Sequence, residues 1–281
     1  MSEARCLITG GRGQLGRELS RLLPGSNAPA KDELSVTDLD RLRKEIARTG
    51  ATTIFNCAAY NAVDAAEQER EAAMAVNAVG AGNVARACRL ENARLVHFST
   101  NYVFDGQASE PYSEADDPRP ISAYGRSKRE GELRVLAELP EALIVRSSGL
   151  FGLGGSAVKG GSFPDRLLAR AAAGQPLAVV TDQHLNPTYT GHLAEASVAA
   201  AAAGTAGLLH LVASGCCSFH EFALEVLKVA GVNAPVAAIV TSPGGAERPR
   251  NGCLASIRTE PLPSWQEGLA AYWAARSARV V

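Results

Sequence analysis

Glycines crowd a short stretch near the start of the chain, LITGGRGQLG (residues 7–16). They lie between an apolar run typical of a buried strand and a segment with helical periodicity over 14–23. Glycines here let the backbone approach a pyrophosphate, and the following helix offers backbone N–H groups at its N-terminus. The position between strand and helix therefore predicts a dinucleotide-binding turn, with a purely structural turn as the alternative.

Strand-like runs and helical segments alternate along the chain. The apolar runs lie at 6–10, 52–58, 94–100, 142–148, 177–182 and 207–213, and helical segments lie near 14–23, 38–48, 66–91, 122–138 and 164–173. The alternation predicts an α/β fold, a Rossmann-type doubly wound parallel sheet with a smaller C-terminal substrate-binding lobe. One more strand is expected within 26–38, although Pro29 argues against a long one.

The character of the sequence changes after Phe151, where a glycine-rich stretch, 152–161, is expected to form a mobile loop. We expect the chain to divide near this point. The predicted units are an NAD(P)-binding domain of residues 1–150, a smaller substrate-binding lobe of residues 151–187 and 214–281, and an element near 188–213 that returns to the sheet.

The composition indicates which classes of partner and which cellular compartment to expect. The 281 residues are 46% apolar and 20% charged, with a net charge of −1, which gives no reason to expect nucleic acid or an anionic membrane as a partner. A small-molecule substrate is expected instead. The first apolar run leaves no room for a signal peptide and no run approaches the ~20 residues of a membrane span, so we expect a cytoplasmic protein. The six cysteines, without a C-x-x-C pair, predict reduced thiols and no metal site.

A tyrosine and a lysine lie four residues apart in ISAYGRSKREGE (residues 121–132). On a helix, Tyr124 and Lys128 would share one face. A neighbouring ammonium group favours the ionised form of a phenol, which makes the hydroxyl a better acid–base group near neutral pH. Behind a dinucleotide-binding turn, the pair predicts a site of proton transfer, and an incidental pair on a surface helix is the alternative.

Three polar residues end the strand in LVHFSTNYVFDG (residues 95–106). The carboxyl ends of parallel strands face the ligand crevice in a sheet of this kind. A Thr100 hydroxyl there can donate a hydrogen bond to the carbonyl oxygen that Tyr124 would protonate, where charge develops during reduction. The structural alternative, stronger for Ser99 than for Thr100, is a side chain that caps a turn.

The choice between the two nicotinamide cofactors depends on residues about 20 positions beyond the turn. Asp32 and Glu33 lie near that distance and would favour a free ribose 2′-hydroxyl, whereas Arg12 and Lys31 could contact a 2′-phosphate. We expect NADP(H) to be preferred, with NAD(H) as the alternative.

Motifs along the whole chain resemble the extended short-chain dehydrogenase/reductase superfamily, and within it the dTDP-4-dehydrorhamnose reductase family. The segments that carry the resemblance are TGGRGQLG, NCAAYNAVDAAE, VNAVGAGNVARAC, FSTNYVFDG, AYGRSKREGE, VRSSGLFG, TDQHLNPTYT, GLLHLVASG, RPRNGCL and LPSWQEGLAAY. The resemblance implies reduction of the C4 ketone of a nucleotide-linked 4-keto-6-deoxy sugar, by a monomer or homodimer. Glu18 matches one glutamate of the metal-bridged dimers in this family, but residue 191 is glycine, so no metal is expected.

The resemblance also implies roles for individual residues. Thr100, Tyr124 and Lys128 would be catalytic, with Tyr124 donating a proton to the ketone and Lys128 holding the nicotinamide ribose. The implied cofactor contacts are Gly10, Gly13, Gln14, Leu15, Gly16, Ala58, Ala59, Tyr60, Ser99, Tyr124 and Lys128. The implied substrate contacts are Val63, Thr100, Asn101, Tyr102 and Gly149.

Four positions depart from the residues usual in the family, all where the substrate would lie. Asn101 stands in place of aspartate, Gly149 of tryptophan, Leu185 of glycine and Gly252 of serine. These departures leave two further hypotheses open, a reductase of a different ketone in natural-product biosynthesis and a non-catalytic NADP-binding regulatory subunit. A dehydratase is not expected, because Asn101 and Tyr102 are not the acids that elimination needs.

Overall fold

The structure is a computed structural model that describes residues 5–155 and 160–278. The predicted mobile loop therefore lies partly outside the described residues, at 156–159. The strands in chain order are β1 (Cys6–Thr9), β2 (Thr53–Asn56), β3 (Arg94–Thr100), β4 (Leu143–Ser147), β5 (Leu177–Val180), β6 (His184–Leu185), β7 (Gly207–His210), β8 (Cys217–Ser218), β9 (Val236–Ile239) and β10 (Asn251–Gly252).

Helices cover both faces of the main sheet. They are α1 (Gln14–Leu22), α2 (Leu39–Thr49), α3 (Arg70–Met74), α4 (Ala81–Leu90), α5 (Ala123–Glu138), α6 (Phe163–Ala172), α7 (Thr190–Ala202), α8 (Phe219–Val229) and α9 (Trp265–Ser277). The predicted helical segment 66–91 is divided, because a π-helical turn, Ala75–Gly80, joins α3 to α4. None of the helices in the described ranges is both long and apolar enough to span a membrane.

Five strands form the main sheet in the order β1-β2-β3-β4-β7, and every neighbouring pair is parallel. The predicted Rossmann-type α/β fold is confirmed. Parallel pairing brings the carboxyl ends of β1 to β4 to one edge, which is where the polar ends of these strands meet.

The strand expected within 26–38 is reduced to a single bridge between Asn27 and Leu7. Ile8 N donates to Asn27 O over 2.8 Å, and Asn27 N donates to Cys6 O over 2.9 Å. Pro29 follows two residues later and has no N–H to extend a ladder. The prediction of a full second strand is therefore wrong.

The main sheet is buried on both faces, as its uniformly apolar strands predict. Leu42 and Ile46 of α2, Val84 of α4 and Val135 of α5 pack on one face. Leu19 of α1 and the α7 pair Leu193 and Ala194 pack on the other. Strand residues alternate between these faces, so that Ser99 and Arg146 lie on the same face as Leu95 and Ile144, under α5.

A third core, in the second half of the chain, is aromatic. Phe151, Phe222, Trp265 and Tyr272 are buried together there. Two small sheets flank this core, one of order β10-β6-β8 and one of β5 with β9. The predicted strand 177–182 thus forms as β5, but it pairs with β9 and not with the main sheet.

Cys216 and Cys253 form a disulfide, with their Cα atoms 6.1 Å apart. The two residues flank β8 and β10, which lie on either side of β6 in the three-stranded sheet. Tertiary pairing thus brings together two cysteines that are 37 positions apart in the sequence. The prediction that all six thiols are reduced is therefore wrong for this pair, while Cys57, Cys88 and Cys217 are free.

Candidate functional site

A cavity of about 320 Å³ opens at the carboxyl ends of the parallel strands. Two halves of the chain enclose it, the glycine-rich turn and strand ends on one side and loops and helices of the second half on the other. Its lining includes Gly13, Gln14, Leu15, Gly16, Ala59, Val63, Ser99, Thr100, Asn101, Tyr102, Tyr124, Lys128, Gly149, Phe163, Arg166, Leu185 and Phe222. Most of the residues singled out from the sequence therefore meet here.

The glycine-rich turn is packed so closely that side chains would not fit. Gly10 has a φ of +69°, and a Cβ at that position would lie 2.7 Å from Ala58 N. A Cβ at Gly16 would lie 2.5 Å from Gly10 O and 2.7 Å from Gly11 Cα. Gly13 precedes α1 without a side chain to cap it, and the first turn of α1 contains no acidic residue. The N-terminus of α1 is thus open to an anion.

The segment after β2 lies next to this turn. Ala58 packs against Gly10 and Ala59 lines the cavity, whereas Tyr60, predicted as a cofactor contact, packs against the buried cluster Ala66, Ala73 and Ala123. Asn77, in the π-helical turn, accepts a hydrogen bond from Tyr60 N over 2.8 Å and donates to Tyr60 O over 3.0 Å. This amide side chain fixes the backbone after β2. This role of Asn77 was not predicted from the sequence.

Tyr124 and Lys128 project from the first two turns of α5. Ser122 begins the helix, its hydroxyl accepting a hydrogen bond from Gly125 N over 3.1 Å. The rings of Tyr124 and Tyr102 meet edge to face, with their centroids 5.5 Å apart. Both Tyr124 and Lys128 line the cavity, as their spacing predicts.

Lys128 is a buried cation beneath the cavity. Its Nζ donates a hydrogen bond to Phe98 O over 2.7 Å. Burial lowers the pKa of Lys128 to about 8, although Glu132 and Cys57 raise it. The imidazole of His97 also lies near, and its pKa is held well below the usual value by burial and by Lys128.

Tyr124 retains its proton in this structure. Burial raises the pKa of its hydroxyl to about 12, opposed by hydrogen bonding with Thr100 and reinforced by Tyr102. The expected lowering of this pKa by the ammonium of Lys128 is not seen, because burial is the largest influence on the hydroxyl. The Tyr124 hydroxyl can therefore act as a proton donor.

The Thr100 hydroxyl donates to Asn101 Oδ1 over 3.2 Å and accepts from Tyr102 N over the same distance. The second bond caps the short helical turn Asn101–Val103, as the structural alternative for Thr100 predicts. Thr100 also lines the cavity, so the capping role does not exclude a role in the site. Ser99 behaves differently, because its hydroxyl donates to Glu132 Oε1 over 2.5 Å.

The four departures from the family pattern form two contacting pairs. Asn101 Nδ2 donates to Gly252 O over 3.0 Å, and a Cβ at Gly252 would collide with that nitrogen. A Cβ at Gly149 would lie 2.5 Å from Leu185 Cδ1 and 2.8 Å from Asn186 O. Leu185 therefore fills the space where a larger side chain at position 149 would begin.

Two of the four residues considered for cofactor choice, Arg12 and Glu33, contact each other. Arg12 and Glu33 form an exposed ion pair of 3.6 Å, and Glu33 Oε2 accepts from Ala30 N over 2.6 Å. The pair lies at the outer end of the turn, where Gly11 contacts Ala28. The carboxylate and the guanidinium thus share one place and partly neutralise each other.

Two ion pairs next to the cavity have no counterpart among the sequence predictions. Arg146 and Glu132 are both 1% exposed and bond through two parallel contacts of 2.8 and 2.7 Å. Arg248 and Asp64 are 2.7 Å apart, and Arg248 also lowers the pKa of Tyr102 against burial, which raises it. Asp64 lies in VDAAE and Arg248 in RPRNGCL, two of the segments that carry the family resemblance. The sequence does not reveal that these two residues pair, because they are far apart along the chain.

No cluster of three histidine, cysteine, aspartate or glutamate side chains suited to a metal occurs within residues 5–155 and 160–278. The sheet order and the close-packed turn at its edge define a Rossmann-type α/β protein.

The chain belongs to the RmlD substrate binding domain family, whose sequence profile matches residues 4–277. A dTDP-4-dehydrorhamnose reductase of Streptomyces griseus is 38% identical over 283 residues, which cover 94% of this chain and 91% of that protein. A dTDP-4-keto-6-deoxy-D-glucose reductase of Streptomyces niveus is 37% identical, with 88% of this chain and 86% of that protein covered. The crystal structure of a dTDP-4-dehydrorhamnose reductase from Bacillus anthracis in complex with NADP has a TM-score of 0.91 and 32% identity, covering 97% of this chain and 99% of that one.

Proposed function

We propose that the protein reduces the C4 ketone of a nucleotide-linked 4-keto-6-deoxy sugar, with NADP(H) preferred and NAD(H) as the alternative cofactor. The meeting of Thr100, Tyr124 and Lys128 in the cavity that the glycine-rich turn also lines is the observation that carries the proposal. The names of the relatives support it, as does the NADP in the Bacillus anthracis structure. We place the protein in the cytoplasm, as a monomer or homodimer.

The residues at the turn fit a dinucleotide. Side chains at Gly10 or Gly16 would collide with the backbone of Ala58 or of the turn itself and so distort it, and the uncapped N-terminus of α1 favours an anion. Gly13, Gln14 and Leu15 would complete this contact. When bound, the reduced nicotinamide supplies the hydride that the ketone carbon receives.

The side chains of α5 and β3 would divide the rest of the reaction. Tyr124 would donate its proton to the ketone oxygen, and its raised pKa keeps that proton on the hydroxyl near neutral pH. Thr100 lies within hydrogen-bonding reach of Tyr124, and its hydroxyl would turn from Asn101 Oδ1 to donate to the same oxygen, where negative charge develops. Lys128 holds the nicotinamide ribose hydroxyls and keeps a positive charge beneath them. Ser99 and the segment Ala58–Tyr60 line the cofactor.

The sugar would lie between the two halves of the chain. Residues 1–150 would bind the cofactor, while residues 151–187 and 214–281 would close over the sugar and its nucleotide. Val63, Asn101, Tyr102 and Gly149 all line the cavity. These residues would contact the sugar and select among its isomers.

The direct test is consumption of NADPH by purified protein with dTDP-4-keto-6-deoxyhexoses, including the form epimerised at C3 and C5 in situ. We expect turnover with at least one of these sugars and tight binding of NADPH. A protein that binds NADPH but turns over none of them would refute the proposed substrate class. A non-catalytic NADP-binding subunit would give that result.

A second candidate, a reductase of a different ketone in natural-product biosynthesis, is favoured by the pair Gly149–Leu185. The buried side chain of Leu185 occupies the space that a side chain at position 149 would enter, so the aromatic platform that the resemblance implies there would be missing beside the sugar. The relative from Streptomyces niveus is named for a 4-keto-6-deoxy sugar and so falls within the first candidate. A kcat/KM for a ketone outside this sugar class that exceeds the values for both the epimerised and the unepimerised sugar would favour the second candidate.

A further inference from the structure

Glu132 is a buried carboxylate one helical turn after Lys128 on α5. Its two oxygens accept four hydrogen bonds. Arg146 Nε and Nη2 donate over 2.8 and 2.7 Å, Arg129 Nη1 over 2.9 Å, and Ser99 Oγ over 2.5 Å. Of these donors Ser99 lines the cavity, so Glu132 acts on the cavity through that hydroxyl.

Glu132 keeps its negative charge despite its burial. Burial alone would raise its pKa, but Arg146, Ser99 and Arg129 together bring it below that of an ordinary glutamate. Arg146 is buried too, and its guanidinium lies 5.1 Å from the centre of the Phe104 ring. A planar cation fixed in this way holds the carboxylate both ionised and oriented.

The charge on Glu132 decides the direction of the Ser99 hydroxyl. A carboxylate has no proton to give, so Ser99 must donate its single O–H to Glu132. The Ser99 oxygen then offers only lone pairs to the cavity. It can accept a hydrogen bond from a ligand there, but it cannot donate one.

We propose that Glu132 is a positioning residue that holds Ser99 as the hydrogen-bond acceptor for the amide N–H of the nicotinamide carboxamide. This inference rests on the proposed function. The nicotinamide half of the cofactor carries two kinds of donor, the ribose hydroxyls and the carboxamide NH₂. Lys128 only donates hydrogen bonds, so the ribose hydroxyls keep their own O–H groups. Of the two kinds of donor, the carboxamide N–H is the one that an analogue can remove while leaving the ribose unchanged, and the test below separates them. By holding the carboxamide, Ser99 orients the ring towards the sugar.

A cofactor that lacks this N–H tests the proposal. The reduced 3-acetylpyridine analogue of NADPH carries a methyl group where the carboxamide has NH₂. Calorimetric titration gives its Kd and that of NADPH for the wild-type protein and for Ser99→Ala. We expect Ser99→Ala to weaken NADPH binding about tenfold, which corresponds to ~1.4 kcal/mol, and to weaken binding of the analogue less than about twofold.

Equal weakening of both ligands, or no weakening of either, would overturn the proposal. Ser197→Ala is the matched control, because Ser197 is a buried serine of α7 that donates to Leu193 O over 2.7 Å, away from the cavity. This control should change neither Kd. A wild-type protein that binds neither ligand would refute the proposed function itself, so the two failures are distinguishable.

Glu132→Gln tests the positioning step. A glutamine can donate its amide N–H to Ser99 and so releases the serine proton to point into the cavity. We expect the NADPH affinity of Glu132→Gln to fall as far as that of Ser99→Ala, with no further loss in the double variant. If the unpaired Arg146 prevents folding, the neutral pair of Glu132→Gln with Arg146→Met is measured instead. Unchanged NADPH affinity in either folded variant contradicts the proposal.

Discussion

Burial moves the pKa values of Tyr124 and Lys128 in opposite directions on the same face of α5. That of Tyr124 rises to about 12 and that of Lys128 falls to about 8. Near neutral pH both side chains therefore carry their protons, and a hydroxyl donor and a cation face the cavity together. This state suits reduction, because the alcohol that forms must gain a proton.

The hydroxyl of Tyr124 can be removed without changing the ring. We expect Tyr124→Phe to lower kcat about 10²–10⁴-fold, the usual contribution of a positioned acid, while the Kd for NADPH stays nearly the same. Tyr112→Phe is the control, since it removes a hydroxyl bonded to Asp105 outside the cavity lining. Turnover by Tyr124→Phe at the wild-type rate would mean that the proton comes from another group.

The pKa of Lys128 predicts how activity depends on pH. We expect kcat/KM to fall as pH rises through about 8, since the cation that would hold the ribose loses its proton there. The effect on stability has the opposite sign. The unfolded chain binds more protons between this folded pKa and the normal value of 10.5, so the cost of burying the cation lessens as pH rises through that range.

The profile of Lys128→Arg provides the check on that prediction, because arginine keeps its charge. We expect lower activity but no decline near the pKa of Lys128. A decline at the same pH in both proteins would assign the titration to another group.

Among individual residues, the sequence identified side chains with recognisable chemistry and regular spacing. Tyr124, Lys128 and Thr100 all line one cavity, although their roles remain a proposal. The bonds of Glu132 to Arg146 and Ser99 were not predicted, because they join a helix to two different strands. Only the fold determines such pairings.

Among the elements, α1 and its preceding turn depend on contacts that permit no side chain. We expect Gly16→Ala to destabilise the protein by about 1–3 kcal/mol and to weaken NADPH binding, because the new methyl group would push α1 away from Gly10 and Gly11. Calorimetric titration and thermal unfolding measure the two effects.

Gly82→Ala is the matched control for this prediction. Gly82 is a helical glycine of α4 where a Cβ would lie 3.2 Å from Arg134 Cβ, a less severe contact than those at Gly16. Alanine there should leave NADPH binding intact and change stability by less than about 1 kcal/mol, because its higher helix propensity opposes the tight contact. Equal losses in the two variants would contradict the close-packing argument.

The strands and helices of the main sheet were predictable because each carries its own pattern. The apolar runs predicted β1 to β4 and β7, and most of the predicted strand ends lie within one or two residues of the observed ends. The sequence did not reveal the pairing of β5 with β9, since a strand's own pattern does not name its partner. The two-residue strands β6, β8 and β10 are too short to show any periodicity, so their pairing could not be predicted. That pairing brings Cys216 and Cys253 together, and the disulfide was therefore not predicted either.

At the scale of the whole molecule, the residues expected to contact the cofactor match the family pattern, whereas several residues expected to lie near the sugar depart from it. The contact between Gly149 and Leu185 makes their departures one structural change. A large side chain at position 149 needs space that Leu185 now fills, and it must also accept a φ of +58°.

These two positions should therefore be coupled. We expect Gly149→Trp alone to destabilise the protein and lower turnover, and Leu185→Gly added to it to recover part of both. The expected coupling in a double-mutant cycle is about 1–3 kcal/mol, measured by thermal or denaturant unfolding. Turnover of the epimerised sugar should be higher in the double variant than in either single one. Additive effects would show that Leu185 does not occupy the space of the missing side chain.

The fate of the hydride tests the central claim most directly. Wild-type protein is incubated with NADPH that carries deuterium at the transferred position and with the dTDP-4-keto-6-deoxyhexose that it turns over fastest, and the product is analysed by mass spectrometry and NMR. We predict one deuterium at C4 of the sugar for each NADPH consumed, and the same product formed about 10²–10⁴-fold more slowly by Tyr124→Phe. Oxidation of NADPH without deuterium in the sugar, or no oxidation with any of these sugars, would contradict the proposed reduction.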